Sequence, residues 1–219
     1  MPPARTSMND AVPTSPCTST RRLPRVRRIL LLPTLLLLLG VAKRPTPTEI
    51  EVPLPMTLFS FDRPDESDWN VVNDGVMGGR SAGFVAIEEG TLRFTGTLVT
   101  QGGGFTSIRA RRDIDLTGQA GMELRVRGSG RQFEVEVDDG LRTYGRTVSR
   151  RAPFATSAEW TLVRVPFSTL RSTVFGQAVN APPIDLAKIR GVGLYIADGR
   201  DGPFRLEVDY IRSYGVAEK

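Results

Sequence analysis

The side chains able to carry chemistry are few, and what is missing bounds the function. The chain has no histidine and a single cysteine, Cys17. Without imidazole there is no Ser-His-Asp or Cys-His mechanism, no His-ligated zinc and no usual neutral-pH general base. Cys17 lies in the leader, so the remainder has neither a thiolate nucleophile nor a disulfide. Carboxylates are plentiful, but no pair stands in a glycosidase signature. Asp138-Asp139-Gly140 and Asp198-Gly199-Arg200-Asp201-Gly202 carry ordinary hairpin chemistry, and the second lacks the later ligands of an EF-hand. Gly102-Gly103-Gly104 lacks the Lys and Ser/Thr of a phosphate loop and leads into a β-prone run, so it reads as a glycine-rich turn. These residues predict no enzyme, no metal and no cofactor.

The densest constellation is Trp69 to Ser81, Trp-Asn-Val-Val-Asn-Asp-Gly-Val-Met-Gly-Gly-Arg-Ser. An apolar, β-prone run ends at Asn73-Asp74-Gly75, residue types that reach positive φ and reverse the chain. Val76 and Met77 then precede Gly78-Gly79, where the backbone tolerates unusual dihedrals or close contact. Two readings stand side by side. One is a structural corner closing the end of a sheet core, with Trp69, Gly75, Met77, Gly78 and Gly79 as its frame. The other is a binding loop in which Asn73, Asp74, Arg80 and Ser81, with Thr106, face a partner.

Around these residues the pattern has period two almost throughout. Short β-prone runs occur at Leu58 to Phe61, Gly83 to Ile87, Thr91 to Phe94 and Phe105 to Arg109, each bounded by Gly, Asp or Asn. Met122 to Arg127 and Phe133 to Val137 alternate apolar and charged residues, which gives each one wet face. Gly128-Ser129-Gly130 between them predicts a hairpin. Further strands are expected at Thr143 to Ser149, Trp160 to Val165, Val192 to Ala197 and Phe204 to Tyr214. Helical signal is confined to turns at Ser168 to Arg171 and Asp185 to Lys188. About ten short strands with almost no helix predict an all-β, antiparallel two-sheet sandwich of jelly-roll type. In the last strand Leu206, Val208, Tyr210 and Arg212 are expected on one face, with Glu207, Asp209 and Ile211 on the other. If the terminal strands pair, Asp62 and Asp209 could approach a shared cation. Trp160 is expected in the core and Tyr144 outside it, which makes Tyr144 the candidate sugar-stacking residue.

The 219 residues carry a net charge of +5, which invites a nucleic-acid reading. Residues 1–44 hold eight of the 29 Lys/Arg and one of the 24 acids, so the remainder carries 21 bases against 23 acids. The basic excess belongs to the leader, and no nucleic-acid partner is expected. Within that leader a basic cluster at Arg21 to Arg28 precedes the apolar run Ile29 to Ala42, too short for a bilayer span of about 20 residues. This pattern predicts a signal peptide cleaved after Ala42, or an uncleaved membrane anchor, over residues 1–44. A Pro-rich linker follows at 45–55, then one domain over 56–215. The domain is accordingly expected to be exported, periplasmic or secreted, or tethered to a membrane.

One resemblance adds to this reading. Trp69-x-x-Val72-Asn73-Asp74-Gly75-Val76-Met77-Gly78-Gly79-x-Ser81 is followed by Gly104-Phe105-Thr106-Ser107-Ile108-Arg109 and Leu124-Arg125-Val126-Arg127-Gly128-x-Gly130-Arg131. Trp160-x-x-Val163-x-Val165-Pro166-Phe167-Ser168 and Gly202-Pro203-Phe204-x-Leu206-Glu207-Val208-Asp209-Tyr210-Ile211 complete the set. In that order, over Leu58 to Tyr214, they resemble the complex I intermediate-associated protein 30 family. The resemblance implies a galactose-binding-like sandwich, and a non-catalytic chaperone role in assembling NADH:ubiquinone oxidoreductase. The expected function is a protein-interaction or assembly module holding a protein partner through Asn73, Asp74, Arg80, Ser81, Thr106 and Tyr144. The alternative is a carbohydrate-binding module of the cell envelope.

Overall fold

The computed structural model describes residues 54–63 and 68–215. The expected signal peptide or anchor, and nearly all of the Pro-rich linker, lie outside them. The strands are β1 (Thr57–Phe59), β2 (Trp69–Asn73), β3 (Ala82–Glu88), β4 (Thr91–Leu98), β5 (Thr106–Ile114), β6 (Gln119–Gly128), β7 (Gln132–Asp138), β8 (Arg142–Thr143), β9 (Arg146–Thr147), β10 (Ser149–Ala155), β11 (Thr161–Pro166), β12 (Arg171–Val174), β13 (Gln177–Ala178), β14 (Ile189–Ile196) and β15 (Gly202–Gly215). Short 3₁₀ turns at Phe167–Thr169 and Leu186–Lys188 occupy the two places where helical signal was expected.

All pairing is antiparallel. One sheet runs β11-β6-β15-β4-β3, with β1 also on β15; the other runs β13-β12-β10-β7-β14-β5-β2; β8 and β9 form a separate hairpin. The predicted two-sheet jelly roll is what the chain adopts, terminal strands paired. Alternation places one face of each strand inward. Leu92, Phe94, Leu124, Val126, Leu206 and Val208 from the first sheet, and Ile108, Phe133, Val135, Val137 and Leu194 from the second, are wholly buried. Phe94 meets Phe204 edge-on at 4.9 Å and Phe133 at 6.3 Å, and elsewhere in the core Trp69 packs on Phe59 at 5.1 Å.

Five local expectations are corrected. β6 and β7 do not form a hairpin, because they belong to opposite sheets. Two strands that each bury alternate residues satisfy that pattern equally well side by side or face to face. Gly128 lets the crossing chain pass close to β15, where an added Cβ would stand 2.7 Å from the Arg205 carbonyl oxygen. Within β15 a register shift between Val208 and Tyr210 inverts the face assignment beyond it. Ile211 and Ser213 therefore point inward, while Tyr210 and Arg212 turn out to Glu123. Asp209 accepts from Arg125 at 2.7 Å, and Asp62 lies near the Gly90 turn. Trp160 is half-buried outside the core, with the guanidiniums of Arg125 and Arg127 at 4.9 and 4.7 Å from its ring. Thr143 to Ser149 is not one strand, because the chain reverses at Tyr144-Gly145.

Candidate functional site

The corner after β2 is built around one carboxylate. Asp74 opens a 3₁₀ turn, Asp74–Met77, that ends on Gly78 in the left-handed region at φ 84°. Its side chain has no solvent exposure. Oδ1 accepts from the Ser81 amide at 2.9 Å; Oδ2 accepts from the Ser81 hydroxyl at 2.7 Å and from the amides of Gly104 and Phe105 at 2.7 and 3.3 Å. A Cβ on Gly79 would stand 2.1 Å from the Asp74 Cγ, and one on Gly103 would stand 2.4 Å from Oδ2. The glycines on both loops are thus a cradle for the carboxylate. Burial pushes the Asp74 pKa up, but the amide and hydroxyl donors of Gly104, Ser81 and Phe105 outweigh it and hold it below the ordinary carboxylate range.

Asn73 does the same work one residue earlier. Its Oδ1 accepts from the Thr106 hydroxyl at 2.7 Å and from the Gly83 amide at 3.0 Å, which ties β2 to β3 and β5. The fold therefore brings Asn73, Asp74, Ser81 and Thr106 together, but facing one another rather than solvent. Asp74, Ser81 and Thr106 are buried, with their carboxylate and hydroxyl groups turned to one another and to the neighbouring backbone. Donors from the two adjoining loops engage both carboxylate oxygens of Asp74. Arg80 and Met77 stay on the outer side of the corner; Arg80 donates to Gln101 Oε1 at 3.0 Å, and Met77 is 57 % exposed.

Tyr144 lies on another element, the β8–β9 hairpin, and is 99 % exposed. Its two-residue turn Tyr144-Gly145 has φ of 48° and 74°, and the β12–β13 turn Phe175-Gly176 has φ of 49° and 76°. Both are hairpin turns with two positive φ, the geometry that normally selects Asn, Asp or Gly at its first position. The β3–β4 turn Glu89-Gly90 has the same backbone with a polar residue at its tip. Phe175 is 67 % exposed, and the guanidinium of Arg146 lies 4.6 Å from its ring, so Arg146 links the two aromatic-tipped hairpins. Phe175 was not singled out from sequence; the signal that could have found it is the X-Gly pair between two short β-prone runs.

Tyr195 is 9 % exposed, stacked on Phe105 at 5.2 Å, with Arg151 4.2 Å from its ring. Acids on the outer faces are committed as well: Glu123 accepts from Arg164 and Arg212, each at 2.8 Å, and Glu134 from Arg151 at 2.9 Å. At the other loops, Asp198 pairs with buried Arg131 at 2.7 and 2.6 Å, and Asp139 with buried Arg150 at 2.9 Å. Among the described residues no group of three or more Cys, Asp or Glu is placed to hold a metal ion.

Comparison with known proteins bears on this arrangement. Residues 59–208 match the model of the complex I intermediate-associated protein 30 family. A probable complex I intermediate-associated protein 30, mitochondrial, of Caenorhabditis briggsae is 30 % identical over 188 residues, covering 71 % of this chain and 53 % of the relative. The Mus musculus protein of that name is 26 % identical over 178 residues, covering 68 % and 53 %. This chain thus spans about half the length of these curated relatives. Among solved structures, the family 11 carbohydrate-binding module of a Clostridium thermocellum cellulosomal cellulase aligns over 76 % of this chain and 97 % of its own, with TM-score 0.55 and 16 % identity. A family 30 carbohydrate-binding module from the same organism aligns with TM-score 0.52 at 17 % identity, covering 76 % and 100 %. At such identities the likeness is one of fold.

The relatives also correct the expected location. They are mitochondrial proteins, which overturns the expectation of an exported, periplasmic or membrane-tethered domain. Basic charge at the N-terminus is common to export signals and to mitochondrial presequences, so composition there does not separate the two. Among the described residues no helix is long and apolar enough to cross a membrane. With the Asn73-to-Ser81 corner, the Gly102-to-Ser107 loop and the sandwich that joins them all inside the matched span, the chain belongs to the complex I intermediate-associated protein 30 family.

Proposed function

We infer that this chain is a non-catalytic interaction module whose partner is a protein intermediate in complex I assembly, the association its relatives' names state for them. The observation that carries this reading is the pair of aromatic-tipped hairpins. Tyr144 and Phe175 spend backbone strain, of order 1–3 kcal/mol each, to hold large rings out in water at turns that suit small polar residues. Large exposed aromatics are the residues that anchor protein interfaces. Met77 and Arg80, the residues of the Asn73-to-Ser81 corner left outward, offer a second contact. The buried Asp74 serves this function indirectly, by fixing the corner on which they sit. Sugar binding is the weaker alternative, since Trp69 and Tyr195 are buried and the Trp160 ring carries two guanidiniums, which leaves Tyr144 without a second stacking ring among these candidates.

The test is complementation of cells lacking this protein, with assembled complex I read on native gels. The double variant Tyr144→Ser, Phe175→Ser is expected to keep the melting temperature of the parent and to lose assembled complex. Full assembly by that variant overturns the reading.

A further inference from the structure

Beyond the hairpins, the arginines of the domain are not distributed evenly in their pairing. Arg93, Arg109, Arg125, Arg127, Arg131, Arg150, Arg151, Arg164 and Arg212 all stand against carboxylates. Arg111, Arg112, Arg142 and Arg190 have no such partner among the described residues, and these four line one cleft of about 330 Å³ with Asp113, Asp138, Gly140 and Thr147.

The cleft is built by identifiable devices. A register shift between Ile189 and Gly191 sets Arg190 at an irregularity of β14 opposite the end of β5, the kind of bulge that re-aims a side chain. Gly140, at φ 73°, gives the Arg190 guanidinium room: a Cβ there would stand 2.5 Å from its Nε. Asp138 accepts from the Gly140 amide at 2.8 Å and so fixes that turn. Arg142 donates to the Gly145 carbonyl of its own hairpin, and Arg112 lies 5.3 Å from the Phe59 ring centroid. The Arg142 and Arg112 heads are thus positioned by a carbonyl and a ring, neither of which is a carboxylate.

Four arginines against two aspartates give the lining residues a formal excess of two positive charges, in a domain whose residues beyond 44 carry a small acidic excess. A phosphate monoester carries about two negative charges near neutral pH and matches the fork of the guanidinium. We propose that the Arg111–Arg112–Arg142–Arg190 cleft binds a phosphate group borne by a small molecule, either a soluble phosphate compound or a lipid headgroup. The Thr147 hydroxyl lines the same space and supplies an uncharged donor. The cleft shares the β8–β9 hairpin with the proposed protein contact, but it is lined by Arg142 and Thr147 near the hairpin's base, whereas that contact uses the aromatic tips of Tyr144 and Phe175.

The test is calorimetric titration of the full chain with pyrophosphate at low salt. Saturable binding is expected, weakened about tenfold or more in Arg142→Gln, Arg190→Gln, as loss of two charged hydrogen-bond donors requires. The control Arg171→Gln, Arg205→Gln removes two exposed arginines outside the cleft and is expected to leave affinity and melting temperature unchanged. Absence of saturable binding, or equal loss in the control, overturns the proposal. Vesicles of phosphatidylcholine containing phosphatidic acid separate the sources. Vesicle binding that pyrophosphate displaces identifies the headgroup; pyrophosphate binding without vesicle binding identifies a soluble compound.

Discussion

Asp74 illustrates how a carboxylate that looks like a binding group can be a structural bolt. A buried charge is tolerated only where donors replace water, and here three backbone amides and one hydroxyl do so. The motif's glycines follow from the same fact, since Gly79 and Gly103 press on the carboxyl from two sides. Asp74→Asn exchanges an acceptor for an amide donor facing other donors, and is expected to cost roughly 2–3 kcal/mol of unfolding free energy. Gly103→Ala overpacks the same cradle and should cost about 1–3 kcal/mol. Urea denaturation of both variants checks the pair; near-parental midpoints would show that the cradle is dispensable.

At the level of the element, the hairpins β8–β9 and β12–β13 set stability against function. Both place an aromatic residue in the left-handed region, where Asn is favoured and bulky residues are not. Phe175→Asn is therefore expected to stabilise the domain by about 1 kcal/mol while weakening complex I assembly in the complementation assay. A thermal melt beside the native gel reads both quantities. A variant that gains stability and keeps full activity would remove Phe175 from the proposed contact. The trade resembles other functional positions that hold strain.

For the whole molecule, acid is the condition that should undo the fold first. In Asp74, Glu123 and Asp198 burial raises the pKa, and donors outweigh it: the amides and hydroxyl for Asp74, Arg164 and Arg212 for Glu123, Arg131 for Asp198. All three end below their ordinary values, so each contributes stability that is fully present above the unfolded carboxylate pKa of about 4. That contribution is lost as pH falls through the lowered folded values. Unfolding free energy measured by denaturant between about pH 6 and pH 2 should fall steeply below pH 4, and less steeply in Asp198→Asn. A flat profile would show that these carboxylates titrate alike folded and unfolded.

Sequence alone settled what depends on neighbours a few residues apart. The missing histidine and the lone Cys17 excluded whole classes of chemistry, period-two alternation gave most of the strands, and Asn73-Asp74-Gly75 marked the first reversal, whereas the reversals at Tyr144-Gly145 and Phe175-Gly176 went unmarked. These signals are local because side-chain alternation and positive φ are properties of short segments. Tertiary structure decided the rest. Asp74 meets Gly104 across 30 residues of chain, β6 and β7 part into opposite sheets, and Arg111, Arg112, Arg142 and Arg190 converge from β5, β8 and β14. Which donor satisfies a buried carboxylate, and which guanidinium is left without one, is fixed by packing between distant strands, and no spacing in the sequence encodes it.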